Sequence, residues 1–403
     1  MLGGVPRTVR EVLAHQVGGL PGQFWWLWLG TMVNRAGTFI EPFFVLYLTG
    51  PRQVPVRTAG LVLAVWGAGS LLSQAIGGVL TDRYGRRSTL AGSLVASAAA
   101  MLALGLARHL VVICVLAFLL GLVADLYRPA STAMVADLVP EHERTRAYAL
   151  QFWAINVGFS LAAISAGLLL HLGFGLLFVL DAATTLAFGL LTMRFLPETQ
   201  PPSEHSRPRL VDPIRLFATD PSLLWVTVLM LVFAVLYSQV YLTLPLAITA
   251  AGLDPSVYGY VIAVNGVLIV VGQPLTLRLV ARWPQRRSLP AGMALIGVGV
   301  AATGLCHRPW QFALSVVVWS AGEVAIAGSF QAIIASLAPV HMRGRYAGAL
   351  GLAWGASGLL APVLGTGVYA ISPALLWGGC LAAGLLAAAG QFRLLTTIER
   401  RTG

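Results

Sequence analysis

The stretch Gly78-Val79-Leu80-Thr81-Asp82-Arg83-Tyr84-Gly85-Arg86-Arg87 sets a basic turn between two apolar runs, 57–81 and 88–106. A helix needs about 20 residues to cross the hydrocarbon of a bilayer, and both runs are near that length. A short Arg-rich turn between two such runs reads as the cytoplasmic side of a helical hairpin. The pattern then recurs. Arg86-Arg87-Ser88 with Ala91-Gly92 returns as Arg286-Arg287-Ser288 with Ala291-Gly292. Leu138-Val139-Pro140, His142, Arg144 and Arg146 return as Leu337-Ala338-Pro339, His341, Arg343 and Arg345. Two similar loops, in the same order and about 200 residues apart, argue for two parallel six-helix halves with a site between them near the midplane.

The expected spans are 24–48, 57–81, 88–106, 110–137, 146–170 and 174–194, then 221–249, 256–280, 289–305, 309–337, 345–369 and 374–395. The expected architecture is therefore all-α and membrane-integral: twelve helices in two pseudo-symmetric bundles, 1–194 and 221–403. The polar, Pro-rich stretch 195–220, with Pro201, Pro202, Glu204, Arg207 and Pro208, joins them as a cytoplasmic linker. Composition agrees. The chain is 57% hydrophobic and 10% charged, with a mean hydropathy of +0.80, whereas soluble domains carry about 25% charged residues. Strand-like alternation is absent, and in lipid the backbone must satisfy itself within each segment.

The net charge of +11 is an orientation signal here, not a nucleic-acid footprint, because the arginines sit in short loops. With the N-terminus in the cytoplasm, twenty of the 26 basic residues, all Arg, fall on the cytoplasmic side. Four (Arg52, Arg57, Arg108 and Arg308) fall outside, and Arg35 and Arg128 lie inside spans. Both termini are thus expected inside, and the first apolar run is a retained helix, too long for a signal-peptide core. The all-Arg, Ala- and Gly-rich composition suits a bacterial cytoplasmic membrane. Cys114, Cys306 and Cys380 lie in apolar segments without paired spacing, so no disulfide framework is expected. The Gly-rich stretches lack a P-loop Lys, and no His or Cys spacing suits a metal. Neither an enzyme nor ATP drive is indicated, which leaves no cofactor and an ion gradient, or the substrate's own gradient, as driving force for what reads as a monomer.

The decapeptide 78–87 matches the G-x-x-x-D-R-x-G-R-R signature at every fixed position, and in this the chain resembles the major facilitator superfamily. The resemblance implies a transporter in which Gly78, Asp82, Arg83, Gly85, Arg86 and Arg87 form a conformational latch. Asp82 would cap helix-end amides, and Arg86 would pair with an acid at the end of the fourth span, here Asp137. The second-half copy keeps Arg286 and Arg287 but lacks the Asp and the second Gly. The chain also looks like the twelve-helix drug:proton antiporter group. Tyr127-Arg128-Pro129-Ala130, Leu196-Pro197-Glu198-Thr199, and Tyr258-Gly259 followed by Asn265-Gly266 carry that likeness. It departs at Gly158–Gly167, where Ala162-Ala163 stand in place of Gly-Pro.

Ionisable groups within spans are functional candidates, since burying them is costly. At a helical rise of about 1.5 Å per residue, Arg35, Asp125, Arg128 and Glu323 lie about 14–21 Å above the cytoplasmic helix ends, near mid-membrane. Asp125 and Arg128 are spaced i, i+3 on one face, and Arg35 can reach them from the first span. They read either as a neutralised structural network, or as a proton-coupling carboxylate flanked by arginines, or as direct substrate contacts. Glu323 has no charged neighbour in sequence and suits proton carriage or a cationic substrate. Glu41, about 26 Å up by the same rule, reads as an outer-gate or cation-entry residue, or as a third proton-coupling carboxylate. Asp181, in a peripheral span, reads as a structural hydrogen-bond acceptor. Further cavity candidates are Asn34, Thr38, Gln151, Trp153, Asn156, Tyr237, Gln239, Tyr241, Asn265, Gln331 and Trp354. Aromatic walls with a few polar groups suit amphipathic organic ligands, although each aromatic is also explained by ordinary helix packing. Trp25, Trp26 and Trp28 read as an interfacial belt. These features favour proton-coupled efflux of amphipathic small molecules. A polar-metabolite importer or facilitator is the alternative, with a non-transporting receptor behind both.

Overall fold

The computed structural model describes residues 19–199, 217, 220–272, 285–326, 330, 333, 337 and 343–402. Within the helices, the side chains of 74–75, 78–79, 82, 141, 145, 149, 271–272, 285, 343–350 and 396–402 lie outside that description. Regular structure among the described residues is helical throughout. In chain order the α-helices are α1 (Gly22–Ala36), α2 (Ile40–Thr49), α3 (Val56–Tyr84), α4 (Arg86–Leu106), α5 (Leu110–Ala124), α6 (Tyr127–Leu138), α7 (Arg144–Leu169) and α8 (Phe174–Phe195). They continue as α9 (Pro221–Leu242), α10 (Leu244–Ala250), α11 (Ser256–Val267), α12 (Gln285–Ala302), α13 (Pro309–Ile326), α14 (Arg343–Ile371) and α15 (Pro373–Thr402).

Among the described residues, nine helical stretches are long and apolar enough to cross a membrane. The other three expected spans fall short for identifiable reasons. The first is split into α1 and α2, and the eighth and tenth run into residues outside the description. Large aliphatic side chains face outward: on α5, Val111, Val112, Val115 and Leu119 are all exposed, as a lipid-facing helix requires. The expected linker lies mostly outside the described residues. The three cysteines are free, consistent with their scattered spacing.

Three expected spans are interrupted, each beside candidate residues. Between α1 and α2, Gly37 leaves helical geometry at φ −99°, ψ 2°, and the free N–H groups of Phe39 and Ile40 donate to Asp181 Oδ2, each at 3.1 Å. Between α5 and α6 the cause is Pro129. It has no N–H to offer the carbonyl of Asp125, which accepts instead from the N–H of Arg128 at 3.2 Å. Between α9 and α10, Pro245 likewise cannot bond the Tyr241 carbonyl, and Thr243 adopts the turn. Broken backbone at membrane depth is tolerated only where it is buried in protein or lines a cavity.

The ends of the bundle differ. α3 packs along α14 and α7 along α11, and both seams tighten on the face remote from Gly85. There Gly67 abuts the backbone of Gly358 so closely that a Cβ on Gly67 would run into the Gly358 carbonyl. A Cβ on Gly259 would lie 2.6 Å from the Ala163 carbonyl and 2.8 Å from Gly167 Cα. Small residues permit this backbone approach. Aromatic pairs close the same region, Phe43 with Tyr258 at 5.1 Å and Phe159 with Tyr241 at 5.9 Å between ring centres. Nearer the Gly85 face, Phe152, Trp153 and Trp354 are exposed.

Candidate functional site

Arg35, Asp125 and Arg128 come together in one pocket of about 100 Å³ formed by α1 to α6 and α8. The break at Asp125 brings its carboxylate to Arg128 Nε at 2.7 Å. The guanidinium of Arg35 donates through Nη2 to the hydroxyl of Tyr127 and lies over that ring, 5.6 Å from its centre. Glu41, just past the break at 37–39, lines the same pocket. Asp181, only 3% exposed, holds that break from α8 and also lines the pocket. Its expected structural hydrogen bonding is what the geometry shows. Asn34 donates to Thr185 Oγ1 at 2.9 Å, and Thr38 donates to its own helix at the Asn34 carbonyl.

The other half carries a separate grouping. Asn265 Nδ2 donates to Glu323 Oε2 at 2.8 Å and to Ser320 Oγ at 2.9 Å, tying α11 to α13. Trp319 sits one turn before Glu323 on the same face. Its ring meets Tyr237 edge-on at 6.0 Å, and Tyr237 meets Trp354 at 5.9 Å. The hydroxyls of Tyr237 and Tyr241 are 3.0 Å apart. Glu323 therefore adjoins an aromatic wall built by α9, α13 and α14.

Several expected cavity groups are engaged by hydrogen bonds within the protein. Gln239 is 2% exposed; its Nε2 donates to the Val235 carbonyl and its Oε1 accepts from Thr243. Asn156 donates to the Phe152 carbonyl of its own helix, and Gln151 donates to Thr31 Oγ1. Trp28 is more than a belt residue, since its Nε1 donates to the Leu150 carbonyl at 3.0 Å and its ring stacks on exposed Trp153. Gln331 lies outside the described residues.

At the basic turn, Arg86 Nε pairs with Asp137 Oδ2 at 3.2 Å, as the resemblance implied. The side chain of Asp82 is outside the description. The helix-end amides at the start of α4 are bonded by Glu198, in the stretch Leu196-Pro197-Glu198-Thr199. Its carboxylate accepts from the N–H groups of Arg86 at 2.7 Å and of Arg87 and Ser88 at 3.3 Å. Thr199, next in the chain, donates to Asp137 Oδ2 at 2.8 Å. Gly85 has φ +94°, and a side chain there would meet the Glu198 carboxylate, so both backbone and space demand glycine. Partial burial opposes the charge on Glu198, but the N–H groups of Arg87, Arg86, Ser88 and Thr199 outweigh it and hold its carboxyl below the usual range. A lowered folded value means that this cap is at full strength near neutrality and is lost as the pH falls through that value. Glu198→Gln at pH 7 should mimic the acid state. We expect faster limited proteolysis at Arg86–Arg87 and reduced transport, with substrate affinity kept within a few fold, as for Arg86→Ala. Unchanged cleavage and transport in Glu198→Gln would show that the cap does no work.

The Major Facilitator Superfamily model matches residues 27–362 and, in a second alignment, 240–402. The chain belongs to the Major Facilitator Superfamily. Relatives include the uncharacterized MFS-type transporter YqjV of Bacillus subtilis, 24% identical over 81% of this chain and 82% of its own length. A Na(+), Li(+), K(+)/H(+) antiporter of Planococcus maritimus is 24% identical over 82% and 85% of the two chains. The multidrug resistance protein MdtH of Salmonella arizonae is 23% identical over 69% of each. Among solved structures, a POT family transporter in complex with a thioalcohol-conjugated peptide superposes with a TM-score of 0.81, at 15% identity, over 96% of this chain and 98% of that one. Fold and relatives agree that this facilitator-superfamily chain is a multi-pass membrane transporter. Among its described residues no group of His, Cys, Asp and Glu is arranged to hold a metal ion.

Proposed function

We propose that the protein exports amphipathic small molecules in exchange for protons, by alternating access between two halves, 1–194 and 221–403, joined by the linker 195–220. The observation that carries this reading is a mid-span carboxylate in each half, one at a helix break and one beside an aromatic wall. Asp125 sits at the α5–α6 break beside Arg128, and Glu323 beside the wall of Tyr237, Trp319 and Trp354. A carboxylate that is wet in one state and dry in the other binds protons differently in each, which couples a proton to conformation. The antiporter and multidrug relatives support this direction at the level of distant likeness. With both termini in the cytoplasm of a bacterial membrane, the glycine seams lie on the outer face and the exposed aromatics on the inner. The protein acts as a monomer without a cofactor, and its chemistry is binding and release.

The test is a panel of amphipathic dyes and polar metabolites in proteoliposomes with an imposed pH gradient. Gradient-dependent accumulation of dyes is expected. Equilibration of a polar metabolite, indifferent to the gradient, would favour the facilitator reading instead.

A further inference from the structure

The lining of the α1–α6 and α8 pocket contains five ionisable side chains besides Tyr127, and three of them are matched inside the protein. Asp125 and Arg128 pair with each other. Asp181 accepts two backbone N–H groups. The neutral polar lining is matched as well: Asn34 with Thr185, Ser70 with the Gly121 carbonyl, Ser97 with the Ser93 carbonyl, and Thr38 with the Asn34 carbonyl. Two groups remain. Among the described residues Arg35 has only the neutral Tyr127 hydroxyl and ring as direct contacts, and its Nε is buried without an acceptor. Glu41 is exposed and has no hydrogen-bond or ion-pair partner among the described residues. The two stand on opposite sides of the 37–39 break and do not pair with each other.

We infer that this pocket takes the head group of an amphoteric substrate, with Arg35 receiving its carboxylate and Glu41 its ammonium. The inference rests on the transport reading and names the substrate class it leaves open. A ligand carrying both charges gives Arg35 and Glu41 each an opposite charge at once. A simple cation would satisfy Glu41 and leave Arg35 Nε buried and unpaired, and a simple anion would do the reverse. The first leaves a desolvated charge uncompensated, which is the costly outcome; the second leaves the exposed Glu41 carboxylate without a counter-charge. The volume agrees: about 100 Å³ is room for about three waters, or for an aminocarboxylate group but not for a large ring system. The apolar remainder of the substrate would extend past Trp66, which lines the same pocket, into the cavity. A guanidinium binds a carboxylate through two parallel N–H bonds, and the vacant Nε of Arg35 is one half of such a fork.

The experiment measures binding to the full-length protein in lipid nanodiscs with four probes of one skeleton. These are phenylalanine (zwitterion), its methyl ester (cation), N-acetylphenylalanine (anion) and the N-acetyl methyl ester (neutral). The zwitterion is expected to bind at least about tenfold more tightly than either singly charged probe, the size of one charge-assisted hydrogen bond. Arg35→Gln should erase the preference for acid over ester while leaving the ester's Kd in place. Arg35→Lys should restore part of that preference, which separates lost charge from lost fold. Glu41→Gln should erase the preference for free amine over N-acetyl. The inference is overturned if the ester or the N-acetyl acid matches the zwitterion, if Arg35→Gln weakens all four probes equally, or if none binds. Gradient-driven dye accumulation in vesicles judges the transport reading separately. Transport with no zwitterion preference sinks this inference alone, and zwitterion preference without gradient-driven transport sinks only the export reading.

Discussion

Glu323→Gln is expected to abolish pH-gradient-driven accumulation while leaving substrate binding and exchange across the membrane in place. A gradient of one pH unit supplies about 1.4 kcal/mol per proton, hence about tenfold accumulation for one coupled proton. A coupled carrier that can no longer take up the proton should lose that whole factor and fall to equilibration. Glutamine keeps the acceptor that Asn265 Nδ2 now finds in Glu323 Oε2, so the tie between α11 and α13 survives and the change isolates the charge. Asp125→Asn is a harsher test because it leaves Arg128 without the carboxylate it contacts at 2.7 Å. Part of any loss there would be structural, since an unpaired charge in a span is expensive. Asp125→Asn should therefore lower binding as well as accumulation, whereas Glu323→Gln should separate the two. Full gradient-driven accumulation in both variants would exclude coupling through these groups and make the facilitator the better reading.

The unequal legibility of these residues in the sequence has physical causes. The i, i+3 spacing of Asp125 and Arg128 fixes a shared helix face, so their pairing could be read directly. Pro129 and Pro245 each withhold an N–H from the carbonyl four residues back, and both breaks are present. The break before Glu41 has no proline to announce it. Its cause is Asp181, about 140 residues away in sequence, which accepts the N–H groups of Phe39 and Ile40. Glu198 escaped for the same reason: its partners are backbone amides of a distant turn, and amides carry no side-chain signature. For Gln239 periodicity gives the span but not the rotamer: its amide turns back on its own helix, and the residue lines a small cavity with Trp319.

The second large effect should come from a single methyl-sized group where α3 meets α14. Gly67 and Gly358 touch backbone to backbone, yet the contact is lopsided. A Cβ on Gly67 would overlap the Gly358 carbonyl, whereas a Cβ on Gly358 would sit an ordinary 3.6 Å from Gly67 Cα. Gly67→Val should therefore wedge the seam, and Gly358→Ala should be tolerated. Overpacking of this kind costs about 1–3 kcal/mol, which falls only on the state with the seam shut and shifts the balance of states by about 5–150-fold. A carrier displaced that far spends its time open at the glycine seams and cycles slowly, so transport should fall by a similar factor with the fold intact. The readout is alkylation of Ser160→Cys, in a chain whose three native cysteines are Ser. Ser160 is buried in the companion seam against Gly266. In Gly67→Val that thiol should react many times faster than in the parent, because opening one seam of a two-state bundle opens the other. In Gly358→Ala the rate should stay near the parent's. Equal rates in the two variants would mean that the seams do not open together, and the rocking of one half against the other would have to be abandoned.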